Sequence, residues 1–152
     1  MKPVVIETEI AAPPARVFAV FTDLARAPER VRAIEALEVL TPGPFGQGTR
    51  FKETRVMFGK SSSETLEVVE FQPGKGYALT AESSGTRYLS TFAFEPSDNG
   101  TRVRLTFTAT PVSAAAKMMG PMLGLMAGTL EKAIRADLED IKAACEGRAR
   151  TF

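Results

Sequence analysis

The strongest constraint on the fold is a series of strand-like segments separated by very short connections. Between residues 49 and 110, apolar and polar side chains alternate with the period of two that is typical of half-buried strands. Connections this short indicate antiparallel neighbours, because a parallel return needs a crossover of about a dozen residues or more. The alternation predicts five consecutive strands, at residues 49–58, 61–72, 76–83, 86–96 and 101–110.

Two further strands are predicted nearer the start of the chain, at residues 4–10 and 34–40. Between them, Pro13-Pro14 favours a helix start, and Val17, Phe18 and Phe21 share one helical face. A second short helical turn is predicted from Thr22-Asp23 to about Pro28. Residues 41–48 contain three glycines and two prolines, which predicts a loop.

Beyond Pro111 the periodicity becomes helical and extends from residue 113 to about residue 147. An apolar stripe with the spacing of one helical face runs along this segment. It consists of Leu130, Ile134, Leu138, Ile141 and Cys145. We therefore predict one long C-terminal helix, an α+β domain over residues 1–147, and a flexible tail at 148–152.

Several short sequences, in a particular order, resemble one known superfamily. They are Ile10–Phe18 followed by Thr22-Asp23, then Gly46–Phe51, then Phe94-Glu95-Pro96 with Asn99–Val103. The chain resembles the superfamily of START domains, Bet v 1 and bacterial polyketide cyclase/dehydratase-like proteins, also called SRPBCC. The resemblance implies a helix-grip fold: a curved seven-stranded antiparallel sheet with two short helices and one long C-terminal helix. It does not select among functions, because members bind lipids, sterols, hormones or polyketides, and some cyclise polyketides.

A cavity is expected in such a fold, because a helix of about 10–12 Å diameter cannot contact every inward side chain of a wide sheet. The first half of the predicted long helix has no charge from residue 118 to residue 130 and is rich in methionine, which adapts to different shapes. We expect this segment to line the cavity with Met119, Met122, Leu123, Met126 and Leu130.

Two alternatives for this segment stay open. Its methionines are equally consistent with an ordinary core. The spacing of Gly120, Gly124 and Gly128 is also found in membrane helix pairs, although the run is shorter than the roughly 18 residues that span a bilayer. A transmembrane role is therefore not expected, whereas a homodimer or a peripheral membrane contact through this surface stays an alternative.

The inward rows of the sheet supply the remaining candidates for ligand binding. They are Phe51, Glu53, Arg55, Tyr77, Tyr88, Ser90, Phe92 and Phe107. If Phe51 faces inward, strict alternation brings the charged pair Glu53 and Arg55 into the cavity, where it could orient a carboxylate or carbonyl of a ligand. Alternatively, a bulge would turn both side chains to solvent, where the pair contributes little.

Composition excludes several kinds of site. The chain has no histidine and no tryptophan, which removes Ser/His and Cys/His nucleophile pairs and histidine-ligated zinc. The net charge is only +1, with basic and acidic residues interleaved, so no nucleic-acid partner is expected. We expect neither a cofactor nor a metal. A single cysteine, Cys145, and the lack of a secretory signal over residues 1–10 predict a reduced, cytoplasmic setting.

These observations favour a protein that binds or carries an apolar small molecule, such as a lipid, an isoprenoid or a polyketide-like compound. An alternative is an enzyme of the cyclase/dehydratase kind in which Glu53, with Arg55 or a tyrosine, moves a proton. A third hypothesis is an interaction module that uses the methionine- and glycine-rich segment. The sequence favours binding over catalysis, and we assign no catalytic residue from it.

Overall fold

The computed structural model describes residues 2–57 and 59–148, except for the side chain of Leu123. Its main feature is one curved antiparallel sheet of seven strands in the order β1-β7-β6-β5-β4-β3-β2. The strands are β1 Val4–Ile10, β2 Ile34–Val39, β3 Arg50–Met57, β4 Lys60–Gln72, β5 Gly76–Ser83, β6 Thr86–Ser97 and β7 Gly100–Pro111. The predicted strands are all present, and the fold is the helix-grip fold that the sequence resemblance implied.

The hairpins fix the register of the sheet. Ser84 and Gly85 connect β5 to β6 with positive φ angles of 52° and 75°, which is the conformation that a tight two-residue hairpin needs. At the next hairpin, Ser97 pairs with Gly100, so Asp98 and Asn99 form the connection and Gly100 is the first residue of β7. Irregularities interrupt the register between Ile34 and Ala36 in β2 and between Val68 and Glu70 in β4.

Short helices fill the long connection from β1 to β2. They are α1 Pro14–Thr22, a 3₁₀ turn Leu24–Arg26, and α2 Ala27–Arg30. The α1 helix has Pro14 in its first turn, where a missing N–H costs nothing, and it buries Val17, Val20 and Phe21. The predicted second helical turn therefore consists of a 3₁₀ turn followed by one α-helical turn.

The predicted continuous helix from residue 113 to residue 147 is in fact two helices. They are α3 Ala114–Met118 and α4 Gly120–Cys145, and Met119 between them has a non-helical ψ angle of 5°. Pro121 explains the interruption, because its ring would clash with the carbonyl group four residues earlier in a continuous helix. A proline is compatible with the first turn of a new helix, which is where Pro121 lies.

The C-terminal half of α4 is anchored to the sheet and to α1. Leu138 and Cys145 are buried in the core, with Ile134 and Ile141 packed against it, which agrees with the predicted apolar stripe. The backbone N–H of Ala11 donates a hydrogen bond to Oε2 of Glu146 at 2.8 Å. This bond joins the segment after α4 to the end of β1.

The start of α4 is far more exposed than its end. Met118 and Leu125 keep 83% and 86% of their surface in this single chain, and Met119 and Met122 keep about half. Within the described residues, no helix is both long and apolar enough to cross a membrane.

Two sequence predictions fall partly outside the described residues. Phe58, the predicted last residue of the third strand, lies outside the described residues. Of the predicted tail, residues 149–152 also lie outside. Arg148 is described, and its backbone N–H donates to the carbonyl oxygen of Ala143 at 2.8 Å.

Candidate functional site

A cavity of about 400 Å³ lies between the concave face of the sheet and α4. Strands β2 to β7, the short helices after β1, and residues 126–141 of α4 all contribute to its lining. Most of this lining is apolar. The aromatic side chains that face the cavity are Phe21, Phe45, Phe51, Tyr77, Tyr88, Phe92 and Phe107.

Aromatic contacts hold much of the wall in place. Tyr77 stacks on Phe92 with ring centroids 4.7 Å apart, and Tyr88 stacks on Phe107 at 5.9 Å. Tyr77 lies directly opposite Phe92 on the neighbouring strand, whereas Tyr88 and Phe107 are diagonal neighbours on the same face of the sheet. Tyr77 is buried, and this burial raises the pKa of its hydroxyl, which therefore stays protonated.

The loop of residues 41–48 supplies part of the same wall through Phe45, whose ring lies 5.1 Å from that of Tyr77. The loop is fastened at its end, because the N–H of Gly48 donates to the carbonyl oxygen of Val68 at 2.8 Å. Gly48 has a φ of 92°, a conformation that favours glycine.

A charged cluster faces the cavity from β3 and α4. Arg55 Nε donates to Oε1 of Glu53 at 2.9 Å, and an Nη1 of the same guanidinium lies 2.8 Å from Oδ2 of Asp137. The side chains of all three residues keep less than a quarter of their surface exposed. Strict alternation along β3 from buried Phe51 puts Glu53 and Arg55 on the inner face, and no bulge interrupts the described β3–β4 register.

A further carboxylate, Glu64 on β4, pairs in register with Glu53 and also lines the cavity. Burial and the negative charge of Glu53 raise the pKa of Glu64 above its ordinary value. Burial also raises the pKa of Asp137, although the adjacent Arg55 opposes the shift. For Arg55, burial lowers the pKa, but attraction to Asp137 and Glu53 outweighs burial, so the guanidinium stays charged.

Hydroxyl groups lie on the same wall. Tyr88 and Ser90 on β6 both line the cavity. Burial, and then the charge of Glu64, raise the pKa of Tyr88, so its hydroxyl is protonated and can donate a hydrogen bond.

A second ion pair lies in the cavity lining. It joins Asp23 and Arg30, from the connection between β1 and β2, with 3.5 Å between the charged atoms.

The structure brings ten of the thirteen predicted site residues together around the cavity. They are Phe51, Glu53, Arg55, Tyr77, Tyr88, Ser90, Phe92, Phe107, Met126 and Leu130. Met119 and Met122 lie outside the lining and are about half exposed. The side chain of Leu123 lies outside the described part of the chain.

Sequence reasoning missed Asp137 and did not select Glu64, which lines the cavity although its side chain is exposed. A signal for Asp137 exists, since it follows Ile134 by three residues and precedes Ile141 by four. It is therefore a carboxylate on the apolar stripe of α4. No group of three or more His, Cys, Asp or Glu residues in the described part of the chain is arranged to hold a metal ion.

A curved antiparallel sheet closed by a C-terminal helix over an apolar cavity defines the helix-grip class of small-molecule-binding folds. Within this class, the chain belongs to the family described as polyketide cyclase / dehydrase and lipid transport, whose family model matches residues 1–146. That description spans two kinds of role, cyclase-type chemistry on polyketides and the transport of lipids. Comparison with curated proteins gave no match.

Similar solved structures agree with this assignment. TTHA0849 from Thermus thermophilus is 25% identical with a TM-score of 0.78, over 95% of this chain and 97% of that one. The Zhui aromatase/cyclase from Streptomyces sp. R1128 is 17% identical with a TM-score of 0.80, over 99% of this chain and 96% of that one. Ara h 8.0201 is 18% identical with a TM-score of 0.67, over 97% of this chain and 99% of that one. The last two are similar in fold alone.

Proposed function

We propose that this protein binds and carries a mostly apolar small molecule in the cavity between its sheet and α4. The observation that carries the proposal is the cavity of about 400 Å³ itself, which is within the range of small-molecule sites and has mostly apolar walls. Void next to apolar side chains costs stability, and a ligand that fills the void offsets that cost.

The shape of the wall favours a ligand with rings. Stacked pairs such as Tyr77 with Phe92 present flat aromatic surfaces, which pack well against flat apolar molecules. The few polar groups, Glu53, Arg55, Ser90, Tyr88 and Asp137, would orient one polar end of such a molecule. A polyketide-like or isoprenoid compound has these properties. We also propose the reducing, cytoplasmic setting that the single Cys145 favours.

A matched pair of variants tests this proposal. Ala133 on α4 lines the cavity, whereas Ala136 on the same helix is exposed. We expect Ala133→Phe to fill part of the cavity and to weaken binding of an apolar fluorescent probe by about tenfold or more. Ala136→Phe should leave the binding unchanged. Equal binding by both variants, with cooperative unfolding retained, would place the ligand elsewhere.

A second candidate function is cyclase- or dehydratase-type catalysis, and the carboxyl groups with raised pKa favour it. Asp137 and Glu64 both face the cavity, and a raised pKa increases the fraction of each carboxyl group that is protonated and able to donate a proton. The similar aromatase/cyclase fold agrees with this candidate. Its test is turnover of a poly-β-ketone thioester. Loss of turnover in Asp137→Asn, with ligand affinity retained, would support catalysis, and absence of turnover in the unmodified protein would reject it.

A further inference from the structure

More negatively charged than positively charged side chains face the cavity. In the described part of the chain, eight side chains with titratable groups line it, and two of them, Tyr77 and Tyr88, are neutral. The remaining six are Asp23, Arg30, Glu53, Arg55, Glu64 and Asp137. Four carboxyl groups thus face two guanidinium groups, which leaves a formal charge of −2 when all six are ionised.

Both cations are engaged by groups of the protein. Arg30 lies 3.5 Å from Asp23 and also donates to the carbonyl oxygen of Val20 at 3.3 Å. Arg55 is held between Glu53 and Asp137, with both contacts shorter than 3.0 Å. The sequence suggested that Arg55 could bind a ligand carboxylate, but in the structure two protein carboxylates already occupy that role.

A ligand anion would therefore meet an unfavourable site. It would have to compete with Glu53 and Asp137 for Arg55, and it would approach Glu64, which faces Glu53 across the β3–β4 pair. Like charges brought together at a binding interface repel each other and weaken binding. A hydroxyl or ammonium group meets the opposite situation, because the carboxylate oxygens accept hydrogen bonds from it.

On this basis, which rests on the proposed binding function, we propose that the cavity selects apolar ligands ending in a hydrogen-bond donor. The favoured end is an alcohol, a phenol or an amine, and the disfavoured end is a free carboxylate. Free fatty acids and other carboxylic acids are thereby poor ligands, whereas phenolic and hydroxylated ring compounds are good ones. Burial is the main cause of the raised pKa of Glu64 and of Asp137, and the negative charge of Glu53 adds to both shifts.

A series of ligands with one ring system tests the proposal. Naphthylmethylamine, naphthol, methylnaphthalene and naphthoate share a naphthalene core and differ in the polar end. Isothermal titration calorimetry at neutral pH should show naphthol and the amine binding about tenfold or more tightly than naphthoate. Naphthoate binding as tightly as naphthol would overturn the selectivity, while the proposed cavity function would stand. If none of the four compounds bound, the binding function itself would fail.

A matched pair of variants separates cavity charge from overall charge. Glu64→Gln removes a negative charge that faces the cavity, whereas Glu82→Gln removes one from an exposed ion pair with Arg87. We expect Glu64→Gln to narrow the preference for naphthol over naphthoate several-fold and Glu82→Gln to leave it unchanged. An unchanged preference in Glu64→Gln, or an equal change in both variants, would overturn the proposal.

Discussion

Gly100 shows how one residue can be required by a distant part of the chain as well as by its own backbone conformation. Its φ of 149° lies in the region that favours glycine. A Cβ atom at this position would collide with the carbonyl oxygen of Ile10 and approach the backbone of Ala12. Thr101 reinforces this crossing, because its hydroxyl donates to the carbonyl oxygen of Ala12 at 2.8 Å.

We predict that replacing glycine by alanine has opposite effects on stability at positions 100 and 128. Gly100→Ala should destabilise the protein by about 1–3 kcal/mol, because it strains the backbone and forces β7 away from β1. Gly128→Ala should stabilise it by about 0.5–1 kcal/mol, since a Cβ atom there meets nothing within 4 Å and alanine favours helix. Urea unfolding measures both, and a gain of stability in Gly100→Ala would contradict the crossing.

At the scale of elements, α4 has two halves with different roles. Its C-terminal half is fixed by buried Leu138 and Cys145, and Arg16 donates hydrogen bonds to the last carbonyl groups of the helix. Burial raises the pKa of Cys145 to about 11, which makes its thiol unreactive near neutral pH. The N-terminal half carries exposed Met122 and Leu125. Among the described side chains of α4, those that line the cavity lie between Met126 and Ile141.

The bond between Glu146 and Ala11 should contribute measurably to this anchoring. Glu146→Ala is expected to cost about 0.5–1.5 kcal/mol, because it removes a hydrogen bond that water partly replaces. The Ala11 N–H lowers the pKa of Glu146, so this contribution is complete above the ordinary glutamate pKa and is lost as pH falls through the lowered value. Thermal unfolding as a function of pH checks the prediction. Exposed Glu139→Ala is the control, and an equal loss there would contradict it.

At the scale of the whole molecule, closure of α4 over the sheet creates the environment of the charged cluster. Glu53 and Arg55 come from β3, Glu64 from β4 and Asp137 from α4. Because the helix covers the sheet, Glu53, Arg55 and Asp137 lose most of their water and interact strongly, whereas Glu64 stays more exposed. The pKa shifts of Asp137 and Glu64 are therefore properties of the assembled fold.

The stability of the whole molecule should report this cluster through its pH dependence. Because the folded state raises the pKa of Glu64, the folded state holds that proton more tightly than the unfolded chain. Ionisation of Glu64 therefore reduces stability as pH rises from the ordinary glutamate value through the raised one. We expect the stability of Glu64→Gln, relative to the unmodified protein, to increase as pH rises from the ordinary glutamate pKa through the raised one. Thermal unfolding measures this difference in stability. A difference that does not change with pH would contradict the raised pKa of Glu64. Exposed Glu82→Gln is the control.

Much of the fold was predictable because its signals are local. The alternation from Val103 to Ala109 identifies both faces of β7, and the short turn at Ser84-Gly85 requires an antiparallel neighbour. The same alternation from Phe51 predicted that Glu53 and Arg55 could share the inner face of β3. In contrast, the break at Met119 was not predicted, because helical spacing continues across it and only the Pro121 ring interrupts the helix.

By itself, the sequence determined the strands, the antiparallel pairing of the five consecutive strands and the apolar stripe of α4, since each depends on spacing along a few neighbouring residues. The tertiary structure alone decided which charges meet. Asp137 joins Arg55 because α4 and β3 line the same cavity, and Met122 stays outside because the start of α4 extends beyond the cavity. Such pairings depend on where remote elements pack, and no local period along the chain encodes that position.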